Sequence, residues 1–99
     1  MGRQLPGCRK EAGLSPRYAY FYLMRDDPDR VGATVPRHVA HWHELQLPEY
    51  LGGPFADRTG GLITFQADDD QQAQGAVDAD PFVREGLLEA HWLKQWSPQ

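Results

Sequence analysis

Cysteine is almost missing from this chain: Cys8 is the only one in 99 residues. One thiol cannot staple a fold, so packing has to hold it, and the chain reads as intracellular. Cys8 itself stands in a Pro/Gly-flanked segment and reads as an incidental thiol rather than a nucleophile. Long apolar runs are missing too. No stretch of about 18 apolar residues could span a bilayer, and the start lacks the apolar stretch of a secretory signal. The cytoplasm is the expected location, with no membrane partner. A surplus of basic charge is also lacking. The net charge is −4, divided between +3 in residues 1–17 and −7 in the remainder. Phosphate binding needs a cationic footprint, so an acidic body excludes nucleic acid as the main partner. No internal repeat is evident.

The length corresponds to one domain. A domain of about 100 residues buries roughly two-thirds of its unfolded surface. That suffices for one core but not for a large internal cavity, so a cleft shared between subunits is the expected place for a site.

Residues 1–17 form an expected flexible N-terminal tail, broken by Pro6-Gly7, Gly13 and Ser15-Pro16. Arg17 to Met24, RYAYFYLM, suits a strand buried on at least one face. Arg25-Asp26-Asp27-Pro28-Asp29 stops it with turn chemistry. Val35 to Leu47 predicts a helix, with Thr34 as N-cap, Pro36 near the first helical position and Pro48 ending the run. Its expected apolar face holds Val35, His38, Val39, Trp42 and Leu45. Tyr50 to Phe55 is a short glycine-interrupted strand, Asp57 to Gly61 a turn, and Leu62 to Ala67 a strand that makes a hairpin with it. Asp68-Asp69-Asp70 opens a second helix running to Ala79, since acidic side chains favour the positive end of the helix dipole. Pro81 and Gly86 punctuate the next stretch, and Leu87 to Trp96 is a final strand. The order β-α-β-β-α-β is the ferredoxin-like split βαβ pattern, an α+β fold with two helices on one face of an antiparallel sheet. The other face also needs cover, and the chain has nothing left to supply it. Sheet-to-sheet packing of a homodimer is therefore expected.

Three histidines draw attention in the first helix. His38 and His41 share a face, while His43 points elsewhere and is expected to be solvated. A metal site would need His38, His41 and a group from another element. His38 sits inside the apolar stripe, where an imidazole needs hydrogen-bond partners. It is either a core histidine satisfied by a carbonyl or a general base, since histidine titrates near neutral pH. Asp80, at the end of the second helix, is the best partner for it. The alternative for Asp80 is a cap for the backbone N–H groups just downstream.

Asp78-Ala79-Asp80-Pro81-Phe82-Val83-Arg84-Glu85-Gly86-Leu87 resembles the ADPF/Y-V-x-x-G-L signature of YCII-related proteins. His38-Val39-Ala40-His41-Trp42 is similar to that family's HLAHL/HLARL helix motif, Leu51-Gly52-Gly53-Pro54 to its L-x-G-P turn, and Lys94-Gln95-Trp96 to its closing basic-x-aromatic end. The resemblance runs from about residue 18 to 97. It implies a dimeric α+β barrel built from ferredoxin-like subunits, with a site that pairs His38 and Asp80. The wider group includes isomerases and lyases of small organic acids and ring compounds. One position departs: Val35 stands where many members carry an arginine, and Arg58 and Arg84 are the candidates to replace it.

The expected function is a cofactor-independent acid–base enzyme of lyase or isomerase type. His38 would move a proton, Asp80 would orient it, and Trp42, Gly53, Pro54 and Phe82 would shape a pocket for a small organic substrate. The competing expectation is a non-catalytic ligand-binding or protein-interaction domain.

Overall fold

The computed structural model describes residues 15–99. Cys8 and most of the expected N-terminal tail lie outside the described residues. The tail's last residues belong to the fold: the Pro16 carbonyl accepts from Ala67 N at 3.2 Å, and Arg17 opens the first strand and pairs with Glu49 at 2.9 Å.

The elements are β1 (Arg17–Met24), α1 (Pro28–Leu45), β2 (Leu51–Pro54), β3 (Gly60–Gln66), α2 (Asp70–Asp78), α3 (Pro81–Arg84) and β4 (Leu88–Trp96). The four strands form one antiparallel sheet in the order β2-β3-β1-β4. This is the expected α+β ferredoxin-like arrangement. Alternation in β1 sends Tyr18, Tyr20 and Tyr22 to the helix side, where they are buried with Ile63 and Phe65 of β3. Trp42, Val77, Phe82 and Leu87 complete the core above them.

Helix α1 begins earlier than Thr34. Asp27 is its N-cap, accepting from Arg30 N at 3.4 Å, and Pro28 takes the first helical position. The expected capping chemistry is thus present, but in the acidic cluster whose composition suits a turn. Thr34 is a buried interior residue, and Pro36 lies on the exposed side of the helix, where it forfeits one helical N–H. The buried stripe is narrower than expected. It consists of Thr34, His38 and Trp42, spaced four apart, while Val35, Val39 and Leu45 each remain about 40 % exposed.

The turn after α2 is itself ordered as a one-turn helix, α3. Asp80 caps its start, and Pro81 occupies the first helical position. At its end, Leu87 N donates to Phe82 O and Gly86 N to Val83 O, with Gly86 at φ +68°. This is a Schellman closure, which calls for a residue able to adopt the left-handed conformation. The Asp, Pro and Gly of the segment each have a backbone task.

Close backbone approach fixes one further glycine. A Cβ at Gly60 would lie 1.9 Å from the Tyr22 carbonyl oxygen, so an alanine there has to push β3 away from β1. Gly75 in α2 faces open space. Gly60→Ala is expected to cost more than about 2 kcal/mol of unfolding free energy. Gly75→Ala is expected to add up to about 1 kcal/mol through helix propensity. Urea unfolding of the two variants checks the opposite signs.

Candidate functional site

Two short stretches of chain bring the site together. The middle residue of the buried α1 stripe, His38, faces the start of α3, where Asp80 stands with no exposed surface. The His38 Nδ1 and Asp80 Oδ1 atoms are 2.9 Å apart. The same oxygen accepts from Phe82 N at 2.9 Å. The second oxygen, Oδ2, accepts from Trp42 Nε1 at 3.1 Å and from the Tyr20 hydroxyl at 3.1 Å. Four donors from β1, α1 and α3 therefore converge on one carboxylate. The capping role and the pairing with His38 are not alternatives, because one oxygen serves both.

This saturation decides the ionisation of Asp80. Burial by itself would raise the Asp80 pKa. The hydrogen bond and charge of His38, then the Phe82 and Trp42 N–H groups, outweigh it and hold the carboxyl below the usual aspartate value. An ionised Asp80 only accepts, so His38 Nδ1 must be the donor in this bond. Nε2 is left over, with no protein hydrogen bond to it among the described residues. The imidazole is held flat against Phe82, with ring centroids 4.1 Å apart, and edge-on to Tyr22. Its orientation is thus fixed on three sides.

His38 lines a cavity of about 370 Å³, within the range of small-molecule sites. The cavity lies between α1 and the β2–β3 hairpin. Gly52, Gly53, Pro54 and Phe82 line it, so Gly53, Pro54 and Phe82 stand where a pocket wall was expected. Trp42 takes a different place. It is 1 % exposed and sits behind the His38–Asp80 pair as a donor to Asp80, outside the lining. Val35, Val39 and His43 form a second row on α1 that lines the cavity beside His38. The expectation that His43 points elsewhere is corrected here: it is exposed, but on the cavity side, edge-on to Tyr50. His41 leaves the site, with Nε2 2.8 Å from the Ala76 carbonyl of α2. Among the described residues no group of three or more His, Cys, Asp or Glu side chains is placed to hold a metal ion.

Tyr20, Tyr22 and Tyr50 are site residues beyond the expected set. Burial first, then the Asp80 charge, raises the pKa of all three above that of an ordinary phenol, Tyr22 to about 12. They are neutral hydroxyl donors near neutral pH. The alternation of β1 carried a signal for Tyr20, since a tyrosine on a buried strand face needs an acceptor for its hydroxyl.

The YCII-related domain model matches residues 18–97. The chain belongs to the YCII-related family. No curated protein matches it. Among solved structures, this YCII-related chain is similar to the 5-chloro-2-hydroxyhydroquinone dehydrochlorinase of Burkholderia phenoliruptrix AC1100, in complex with 2,5-dihydroxybenzoquinone. The two align with a TM-score of 0.71 at 22 % identity, over 82 % of this chain and 93 % of that one. At that identity the likeness is one of fold.

Removing the charge of Asp80 tests the network. Asp80→Asn turns one acceptor oxygen into a donor facing donors, and is expected to cost about 3 kcal/mol at neutral pH. Because the folded-state pKa lies below the unfolded value of 3.8, the wild-type advantage is full above that value and shrinks as pH falls below it. Denaturant unfolding of both proteins across that range checks magnitude and sign.

Proposed function

We propose that this YCII-related protein is a cofactor-independent acid–base enzyme acting on a small organic molecule, with His38 as the proton carrier. The observation that carries the reading is the division of labour in the His38 ring. Nδ1 is engaged by a saturated, buried carboxylate, and Nε2 is the remaining nitrogen of a residue that lines the cavity. In this reading Nε2 takes a proton from an O–H or acidic C–H of the substrate. Asp80 stabilises the imidazolium that forms. The proton then returns to another atom of the same molecule in an isomerisation, or leaves the site together with an expelled anion in an elimination. Gly53, Pro54 and Phe82 bound the substrate, and Trp42 acts through Asp80 rather than by touching it. The structural neighbour's removal of chloride from a hydroxylated ring is compatible with the elimination branch.

The reading includes a homodimer joined through the open face of the sheet. Phe21 pairs in register with Leu62 and with Trp92, which places all three side chains on the side away from the helices. Trp96 and Leu51 share that face, and each of the five is substantially exposed. A continuous apolar surface of this kind on a small domain marks an interaction site. Light scattering is expected to give twice the chain mass of 11.2 kDa. Trp92→Glu is expected to shift that mass to the monomer, and a monomeric wild type would end this part of the proposal.

Turnover tests the chemistry. Chloride release from 5-chloro-2-hydroxyhydroquinone, and solvent-deuterium incorporation into a panel of hydroxylated ring compounds, would be measured with wild type, His38→Gln and Asp80→Asn. Wild type is expected to act on at least one compound, with a rate at least about 100-fold lower in His38→Gln. A wild type that binds these compounds without exchange or turnover would point instead to a binding module, and a fully active His38→Gln would remove His38 as the proton carrier.

A further inference from the structure

The cavity in front of His38 is lopsided in its chemistry. Its polar lining is His38, His43, Tyr22, Tyr50 and Arg58, and no aspartate or glutamate of the described residues lines it. That lining runs against the balance of a chain whose net charge is −4. The two tyrosines present neutral hydroxyl groups, because burial and then the charge of Asp80 raise their pKa. Arg58 is the one lysine or arginine on the wall, and Arg84 does not line it.

Of the other described arginines, four are committed, and Arg84 has no side-chain partner among the described residues but lies off the cavity wall. Arg17 pairs with Glu49, Arg30 with Asp27 and Glu85, and Arg37 with Glu85, while Arg25 donates to the Gly86 carbonyl. The Arg58 side chain has no such partner among the described residues. The adjacent carboxylate is occupied, since Asp57 accepts from Thr59 N at 3.0 Å and from the Thr59 hydroxyl at 2.7 Å. The backbone holds Arg58 in place through Arg58 N to Phe55 O at 2.9 Å. It does so at φ +65°, a left-handed conformation that glycine would adopt at lower cost. An uncommitted cation is thus fixed on a strained turn beside the cavity, while His38 lies at the buried end.

Resting on the reading of this cavity as the substrate site, we infer that Arg58 is its specificity residue. It selects a small organic anion, a carboxylate, phenolate or enolate, whose charge pairs with the guanidinium at the exposed rim. The ring-sized apolar body then packs against Val35, Val39, Ile63 and Phe82, in reach of His38. Arg58 meets the charge from the β2–β3 turn.

Benzoate and benzamide test this, because they share a shape and differ in charge. Calorimetric titration of wild type is expected to show benzoate binding about tenfold tighter than benzamide. Arg58→Gln should bring the ratio to within about twofold while leaving benzamide affinity in place, and Arg58→Lys should keep part of the preference. Thermal unfolding of each variant establishes that it is folded. Equal wild-type affinities, no binding of either probe at millimolar concentration, or an undiminished preference in Arg58→Gln would overturn the assignment. A preference that survives Arg58→Gln removes Arg58 and leaves the His38 chemistry standing. An active His38→Gln variant does the reverse.

Discussion

The Asp80 carboxylate is the constraint around which the rest is arranged. A buried charge without partners costs several kcal/mol, and here its two oxygens are met by His38 of α1, Trp42 of α1, Tyr20 of β1 and the Phe82 N–H of α3. These donors come from three elements, and β1 and α1 lie far from Asp80 along the chain. None of the elements can shift without leaving either a charge or a donor unsatisfied. The carboxylate therefore ties α1 to the sheet and to the turn after α2, and in the same act sets the tautomer of His38. Stability and the orientation of His38 draw on one set of hydrogen bonds.

The segment from Asp80 to Gly86 shows how little chain this takes. A single helical turn, capped by Asp80 and closed by Gly86, presents the carboxylate to His38 and lays the Phe82 ring against the imidazole. Proline at the first helical position and glycine in the left-handed position make the turn stiff. The sheet supplies the other half of the frame. Tyr20 and Tyr22 alternate onto the same face of β1, so that one hydroxyl anchors Asp80 and the next ring braces His38. The facing hairpin contributes Gly52 and Gly53 to the lining of the cavity beside His38.

Element order and strand positions were legible in the sequence because each carried a local signal: alternation in β1, β-branched content in β3, and an acidic opening of α2. The meeting of His38 with Asp80 was legible through the resemblance to YCII-related proteins, since each residue alone also fits a core or capping role. The start of α1 was not. Asp27-Pro28 is as good a helix start as it is a turn, and local chemistry cannot choose between them when the turn residues double as a cap. The width of the apolar stripe was also hidden. A helical wheel groups Val35 and Val39 with His38, but only the packing of α1 against β1 and α3 decides which row is buried and which lines an opening. The same gap hid the cavity-facing side of His43 and the retreat of Trp42 behind the His38–Asp80 pair. Arg58 is visible in the sequence only as a basic residue. Its meaning depends on the cavity lining and on the pairing of arginines elsewhere, which are properties of the folded chain.

The most direct test of this account is the tautomer of His38, read from long-range proton–nitrogen NMR spectra of the imidazole, with His38→Gln used to assign the signals. An ionised Asp80 accepting at Oδ1 requires a protonated Nδ1 and, in the neutral ring, an Nε2 that carries a free lone pair. That pattern is the predicted result. A neutral ring protonated on Nε2 instead would mean that Asp80 carries the proton, and would contradict both the network and the proposed role of His38.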